Sequence, residues 1–191
     1  MVPEVTLDLA GEEVGLYEAT GGYRSDSPPP FWSFAWPGGI ALARFVLDRP
    51  ELVAGRTVVD LGAGSGLVAI AAARAGAAAV TAVDSDPAAL AAAGRNAALN
   101  GVTISTAPAV VPADVLLAGD LFYSPTVVAG VLPVLRAGTG TVLVGDPGRG
   151  YLPERLFEPL ATYDVPVRPA LESTGRMRTT VWRLLRATSS C

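Results

Sequence analysis

The chain has 191 residues, is 50% hydrophobic with a mean hydropathy of +0.41, and carries 14 basic against 18 acidic residues, a net charge of −4 and a pI near 4.8. That is enough apolar material for one buried core and too little length for two ordinary domains. The scattered arginines form none of the basic patches that a nucleic-acid backbone requires. With no histidine, no lysine and a single cysteine at position 191, the usual general base, a Schiff-base nucleophile, a disulfide framework and thiolate or imidazole metal sites drop out. No metal is expected, and the setting is expected to be intracellular and cytoplasmic.

Residues 1–30 are polar and turn-rich, and end in SDSPPP (25–30), where successive prolines forbid a helix and fix an extended approach. They are expected to form an arm or cap, followed by one domain over 31–186 and a tail over 187–191. The opening MVPEVTLDLAGEE carries acids and no basic region, unlike a secretory signal. Ile40, Leu42, Phe45 and Val46 share roughly one face of a helix that Pro50 stops.

From there strands and helices alternate. TVVDL (57–61) is a short apolar strand, LVAIAAARA (67–75) a helix and AVTAVD (79–84) a strand. Arg74 and the glycines around it break this apolar region, which therefore reads as a buried helix and strand, not a membrane span. Residues 86–100 form a helix with Asp86 as its cap and Pro87 at its first position. DVLLAGD (114–120) is a strand, residues 124–137 a helix opened by Ser124 and Pro125, and GTVLVGD (140–146) a further strand. YDVPVRP (163–169) and RMRTTVWRLL (176–185) read as two last strands preceded by a short helix. Strands apolar on both faces and separated by helices give an α/β, Rossmann-like, doubly wound and mostly parallel sheet, here with an antiparallel C-terminal pair. Ligands of such sheets sit outside the carboxyl ends of the strands.

The turn after the first strand spaces its glycines as Gly62, Gly64 and Gly66, with Asp60 two residues ahead. A dinucleotide fingerprint would read G-x-G-x-x-G. A pyrophosphate seeks bare backbone N–H groups at a helix N-terminus, and a carboxylate beside it repels it. A cationic ligand is welcome there, and S-adenosylmethionine is one, although tight packing of helix on strand would also explain the glycines. Asp84, at the end of the second strand, suits ribose hydroxyls of that cofactor or of NAD. AGDLFY (118–123) puts an acid and two aromatics at the methyl side, or else ends a strand in core aromatics.

Taken in order, PPFWSFAWPGG (29–39), LDRPELVAGRTVVDLGAGSG (47–66), AGDLFYS (118–124), GDPGR (145–149) and TTVW (179–182) resemble the protein-lysine methyltransferases that modify the β subunit of electron transfer flavoprotein. The cofactor half also resembles ribosomal-protein methyltransferases. The resemblance implies a seven-stranded class I methyltransferase with S-adenosyl-L-methionine as cofactor and S-adenosyl-L-homocysteine as product. It further implies a protein substrate, expected to be that β subunit; from charge and patterning no nucleic-acid or membrane partner is expected, and the chain is expected to be a monomer. By the same resemblance Trp36 lies against the cofactor, and the turn with Asp60, Gly62, Ala63, Gly64 and Gly66 binds it, Gly62 and Gly64 carrying its methionine moiety. Asp84 holds its ribose and Gly119 faces its methyl end. Asp120 and Tyr123 are the catalytic candidates at the substrate amine, and Phe122, Asp146 and Arg149 shape the substrate pocket. No residue is assigned to the adenine. The alternatives are a methyltransferase for another protein, such as a ribosomal protein, or for a small amine, an NAD-dependent oxidoreductase, and an inactive cofactor-binding module. The glycine spacing and Asp60 speak against the oxidoreductase, the D-x-F-Y tetrad against the inactive module.

Overall fold

The computed structural model describes residues 1–9, 30–168 and 175–186; the expected tail and residues 10–29 of the expected arm lie outside the described residues. Continuous apolar runs bury as the central strands: β1 (Thr57–Leu61), β2 (Ala79–Val83), β4 (Val115–Gly119) and β5 (Thr141–Asp146). With β3 (Ser105–Ala107), β6 (Phe157–Pro166) and β7 (Arg176–Leu184) they form one sheet in the order β3-β2-β1-β4-β5-β7-β6. The pairs among β1 to β5 are parallel, whereas β7 runs antiparallel to both β5 and β6. The expected architecture is therefore present. The chain winds outward from β1 to β3, then returns to add β4 beside β1, and this reversal opens the crevice where such sheets take ligands.

Helix α3 (Pro87–Leu99) is capped by Asp86, whose side chain accepts the Ala88 N–H, and α4 (Pro125–Ala137) by Ser124, which accepts the Val127 N–H. Both caps stand where local sequence signals put them. Helices α1 (Pro37–Asp48) and α2 (Leu67–Arg74) have no capping side chain of their own.

Three elements differ from expectation. Helix α1 starts at Pro37 instead of Ile40, because Gly38 and Gly39 belong to its first turn. Strand β3 was not expected: it has three residues, none buried, pairs with Thr81–Val83 and packs only Ala107 on the core. Strand β6 begins at Phe157, six residues before Tyr163, and the helix ahead of it is one 3-10 turn, Glu154–Leu156. It is an edge strand with Pro159 and Pro166 in it, and its register shifts between Pro159 and Ala161, as proline demands in a ladder.

One sheet face carries α1 and α2 around Leu42, Phe45, Val68 and Leu143; the other buries Phe122, Leu135, Val144 and Phe157. The first nine residues belong to the body of the domain, with Val2, Val5 and Leu7 packed on the first cluster. Thr6 and Asp8 donate their N–H groups to the Asn100 and Asn96 side chains, and Glu4 pairs with Arg44 at 2.6 Å. Among the described residues, no helix is long and apolar enough to cross a membrane.

The start of α1 reaches the sheet through glycines. A Cβ on Gly38 would stand 2.5 Å from the Asp120 nitrogen and closer still to the Gly145 oxygen, and one on Gly119 would stand 2.7 Å from the Gly39 Cα. Two helix glycines thus meet two strand-end glycines, and this close approach brings the first turn of α1 to the mouth of the crevice.

Candidate active site

Four of the central strands end in an aspartate, and each carboxylate binds a backbone N–H of a neighbouring turn or helix. Asp60 on β1 accepts the Ala69 N–H at 2.9 Å, in the first turn of α2. Asp84 after β2 accepts from Gly64 and Asp86, both at 3.0 Å. Asp120 after β4 accepts the Gly38 N–H of α1 at 3.0 Å, and Asp146 on β5 accepts the Gly148 N–H at 2.8 Å. The two helices without caps of their own are therefore capped by strand-end acids, which satisfy donors that a helix start leaves open.

Two of these acids, Asp84 and Asp120, border a cavity of about 810 Å³ at the carboxyl ends of β1, β2 and β4. Gly62 and Gly64 form its floor with positive φ values of 67° and 51°, a backbone that a side chain would strain. Asp84 and Asp86 line one end; Gly119, Asp120 and Tyr123 line the other, facing Trp36 and Arg149. Of the charged residues lining it among those described, three are carboxylates and one is a guanidinium.

At the Asp120 end the contacts are dense. Asp120 is 6% exposed and takes the left-handed backbone at φ 60°, the only described non-glycine residue to do so. Aspartate is among the few side chains that tolerate this. Arg149 Nε donates to its Oδ1 at 2.7 Å and Nη2 reaches Oδ2 at 3.5 Å, while the guanidinium lies 5.9 Å from the centre of the Trp36 ring. Phe31 stands 6.0 Å from Trp36 and 6.1 Å from Tyr123, so three aromatic rings ring the mouth. Burial, and then the charges of Asp84 and Asp120, raise the Tyr123 phenol above its ordinary range, so it keeps its proton.

The structure brings Trp36, Gly62, Gly64, Asp84, Gly119, Asp120, Tyr123 and Arg149 together on the cavity. The other expected site residues stand behind its wall. Asp60 is 1% exposed and caps α2; Ala63 is part of the core. Gly66 is the N-cap of α2, where a Cβ would come within 2.9 Å of Ala93. Phe122 does not shape a substrate pocket: it is fully buried and meets Phe157 edge-on with centroids 5.9 Å apart. Asp146 is 4% exposed, is not part of the cavity lining, and leaves Oδ1 without a hydrogen-bond partner; burial, chiefly, pushes its carboxyl up to about 6.

Three further residues with no expected role complete the lining. Pro108, Ala109 and Val110, just after β3, line the cavity, as does Ala89. The signal for them was weak, since β3 has no apolar run and its existence was the clue required. Asp86, expected only as a cap, lines the cavity as well.

Asp60 makes a pH-dependent contribution to stability. Burial, partly opposed by the Ala69 hydrogen bond, pushes its carboxyl from 3.8 up to about 7. The folded chain thus binds this proton more tightly than the unfolded one, so the contribution is complete below about pH 4 and is lost as the pH rises to about 7. Asp60→Asn, which can still accept the Ala69 N–H, should shift stability relative to the parent by up to about 4 kcal/mol in its favour between pH 4 and 8. Urea unfolding of both proteins across that range checks this; a difference that does not change with pH would exclude it.

The comparisons with known proteins agree with this geometry. A family model described as ribosomal protein L11 methyltransferase (PrmA) matches residues 42–133. The electron transfer flavoprotein beta subunit lysine methyltransferase of Danio rerio is 39% identical over 173 residues, covering 82% of this chain and 66% of its own length. That of Xenopus laevis is 38% identical over 168 residues, covering 80% of this chain and 68% of its own. The chain thus spans about two thirds of the length of these relatives. The crystal structure of a ribosomal protein L11 methylase from Lactobacillus delbrueckii superimposes with a TM-score of 0.53 at 25% identity, covering 77% of this chain and 79% of the other. The sequence similarity runs through most of the chain, and the chain belongs to the family of the electron transfer flavoprotein beta subunit lysine methyltransferases.

Proposed function

We propose that the protein is an S-adenosylmethionine-dependent protein-lysine N-methyltransferase acting on the electron transfer flavoprotein β subunit. The observation that carries the cofactor half of this reading is the lining of the cavity, three carboxylates and one guanidinium around a bare glycine floor. A pyrophosphate would meet repulsion there, whereas a ligand bearing a sulfonium and an ammonium would be attracted. The relatives' names support the substrate half.

The residues present fit the cofactor. When bound, S-adenosylmethionine supplies a methyl group activated on sulfur. Gly62 and Gly64 would admit its methionine end close to the backbone. Asp84 spends one lone pair of each oxygen on Gly64 and Asp86, and a carboxylate has about four, so it keeps capacity for both ribose hydroxyls. Ala89 and Pro108–Val110 offer an apolar slot for the base.

The acceptor amine would meet Asp120, Tyr123 and the Phe31 and Trp36 rings. A lysine with a pKa of about 10.4 is neutral in roughly one molecule in a few thousand at pH 7. The chain therefore has to orient the amine and favour its loss of a proton. Asp120 would orient it, the rings would exclude water and hold the aliphatic stem, and the proton would pass to solvent at the open mouth.

Calorimetric titration with S-adenosylmethionine and with NAD tests the cofactor reading. S-adenosylmethionine should bind more tightly, and Asp84→Ala should weaken it by roughly 10- to 150-fold, the worth of a hydrogen bond to a charged group. Tighter binding of NAD would overturn the reading in favour of an oxidoreductase.

A further inference from the structure

A bare carboxylate at the acceptor end is a poor partner for methyl transfer, because it favours the charged ammonium over the reactive amine. Asp120 is not bare. Its two oxygens take the Arg149 Nε at 2.7 Å, Nη2 at 3.5 Å and the Gly38 N–H at 3.0 Å. The pair is mostly buried, with side-chain exposures of 21% for Arg149 and 4% for Asp120, so solvent screens it little. Arg149 is part of the cavity wall.

We propose that Arg149 turns Asp120 into a receptor for the neutral form of the acceptor amine. The inference rests on the lysine-methyltransferase reading above. With the guanidinium on one side and the α1 N-terminus on the other, the carboxylate's charge is balanced while lone pairs remain on both oxygens. Those lone pairs accept N–H groups of the incoming amine. An ammonium at the same place would face the guanidinium and gain little from the neutralised carboxylate. Arg149 is in this sense a positioning residue that acts through Asp120.

Among the described residues, the other charged and titratable groups around Asp120 are acids and one phenol. Asp146 stands on β5, with Glu154 beyond it, and both Arg149 and Asp120 act on its carboxyl. Tyr123 feels Asp120 and Asp84. Asp84 faces the cavity from the end of β2. These acids all favour a cation, so Arg149, the basic group bonded to Asp120 itself, opposes them.

In the step itself the amine lone pair forms the N–C bond as the C–S bond breaks. The bonding pair leaves with sulfur, and the resulting methylammonium gives its proton to water. Nothing else has to be supplied.

The test uses the full chain, saturated with S-adenosylhomocysteine so that no sulfonium charge contributes, and n-butylamine as probe. NMR titration of the amine from pH 7 to 11 should show, in the parent protein, affinity that rises with pH, with a midpoint below the free amine's own pKa. In Arg149→Gln the preference should reverse, the ammonium binding best. Arg149→Lys should follow the parent, and unchanged S-adenosylhomocysteine binding shows that the variants are folded. Methyl transfer by Arg149→Gln should fall about 10- to 100-fold at pH 7.5, equivalent to one to two pK units, and converge on the parent rate near pH 10. An Arg149→Gln amine profile that matches the parent's, no amine binding to the parent at any pH, or a transfer deficit equal at every pH would overturn the proposal. If the amine titration behaves as expected and the parent transfers methyl to no lysine, the functional reading fails and the amine receptor stands.

Discussion

Asp120→Asn is expected to lower methyl transfer by ~100- to 1000-fold, the range found when an aligned charged or polar group is removed from a reacting centre, while changing S-adenosylmethionine affinity less than threefold. Asparagine also tolerates the left-handed backbone at this position and can accept the Gly38 N–H through its oxygen, so the first turn of α1 keeps its cap. It cannot supply the negative charge that Asp120 sets against Arg149, so the acceptor amine meets more of the guanidinium's positive field. Asp120→Ala would combine two effects, since alanine strains the backbone and orphans a buried N–H. The asparagine variant separates chemistry from folding. Single-turnover transfer measured beside a cofactor titration reads both. Transfer at the parent rate would remove Asp120 from the reacting centre.

The second large effect lies in the fold. Gly38→Ala should destabilise the protein by about 3 kcal/mol, at the upper end of ordinary overpacking, and lower the Tm by about 6 to 12 °C for a chain of this length. The added methyl would meet the Gly145 carbonyl and the Asp120 backbone, with the Asp120 Cα at 2.8 Å. These are main-chain atoms of two strand ends, and they cannot swing aside as a long side chain can. The same displacement would pull the Gly38 N–H off Asp120 and loosen the Arg149 pair. Scanning calorimetry of the variant should therefore show a lower Tm, together with weaker transfer than the stability loss alone would give. A Tm within a degree or two of the parent would mean that α1 can shift freely on the sheet.

Where local chemistry decides the structure, the sequence is readable. The central strands follow from runs such as TVVDL and VLLAG, and the caps Asp86 and Ser124 stand beside the helices they start. Long-range chemistry is harder to read. Asp60 and Asp120 carry ordinary ligand-binding spacing, and nothing near them shows that each caps a helix, Asp60 the one nine residues on and Asp120 one that lies 82 residues before it. The pattern Trp36-Pro37-Gly38-Gly39 is recognisable as a motif, but its physical reason, the meeting with Gly119 and Gly145, appears only when α1 lies against the sheet. Phe122 sits between two cavity residues in the chain and points the other way, into the core, as turn geometry after a strand end allows. The lining residues Pro108–Val110 follow β3, a three-residue strand that strand pairing defines and no apolar run announces.

The proposed reaction is tested most directly by mass spectrometry of purified electron transfer flavoprotein β subunit incubated with the protein and S-adenosylmethionine. A gain of whole methyl groups on lysine side chains, abolished in Asp120→Asn, is the predicted result. A β subunit of unchanged mass, with S-adenosylmethionine bound and the parent protein folded, would contradict it.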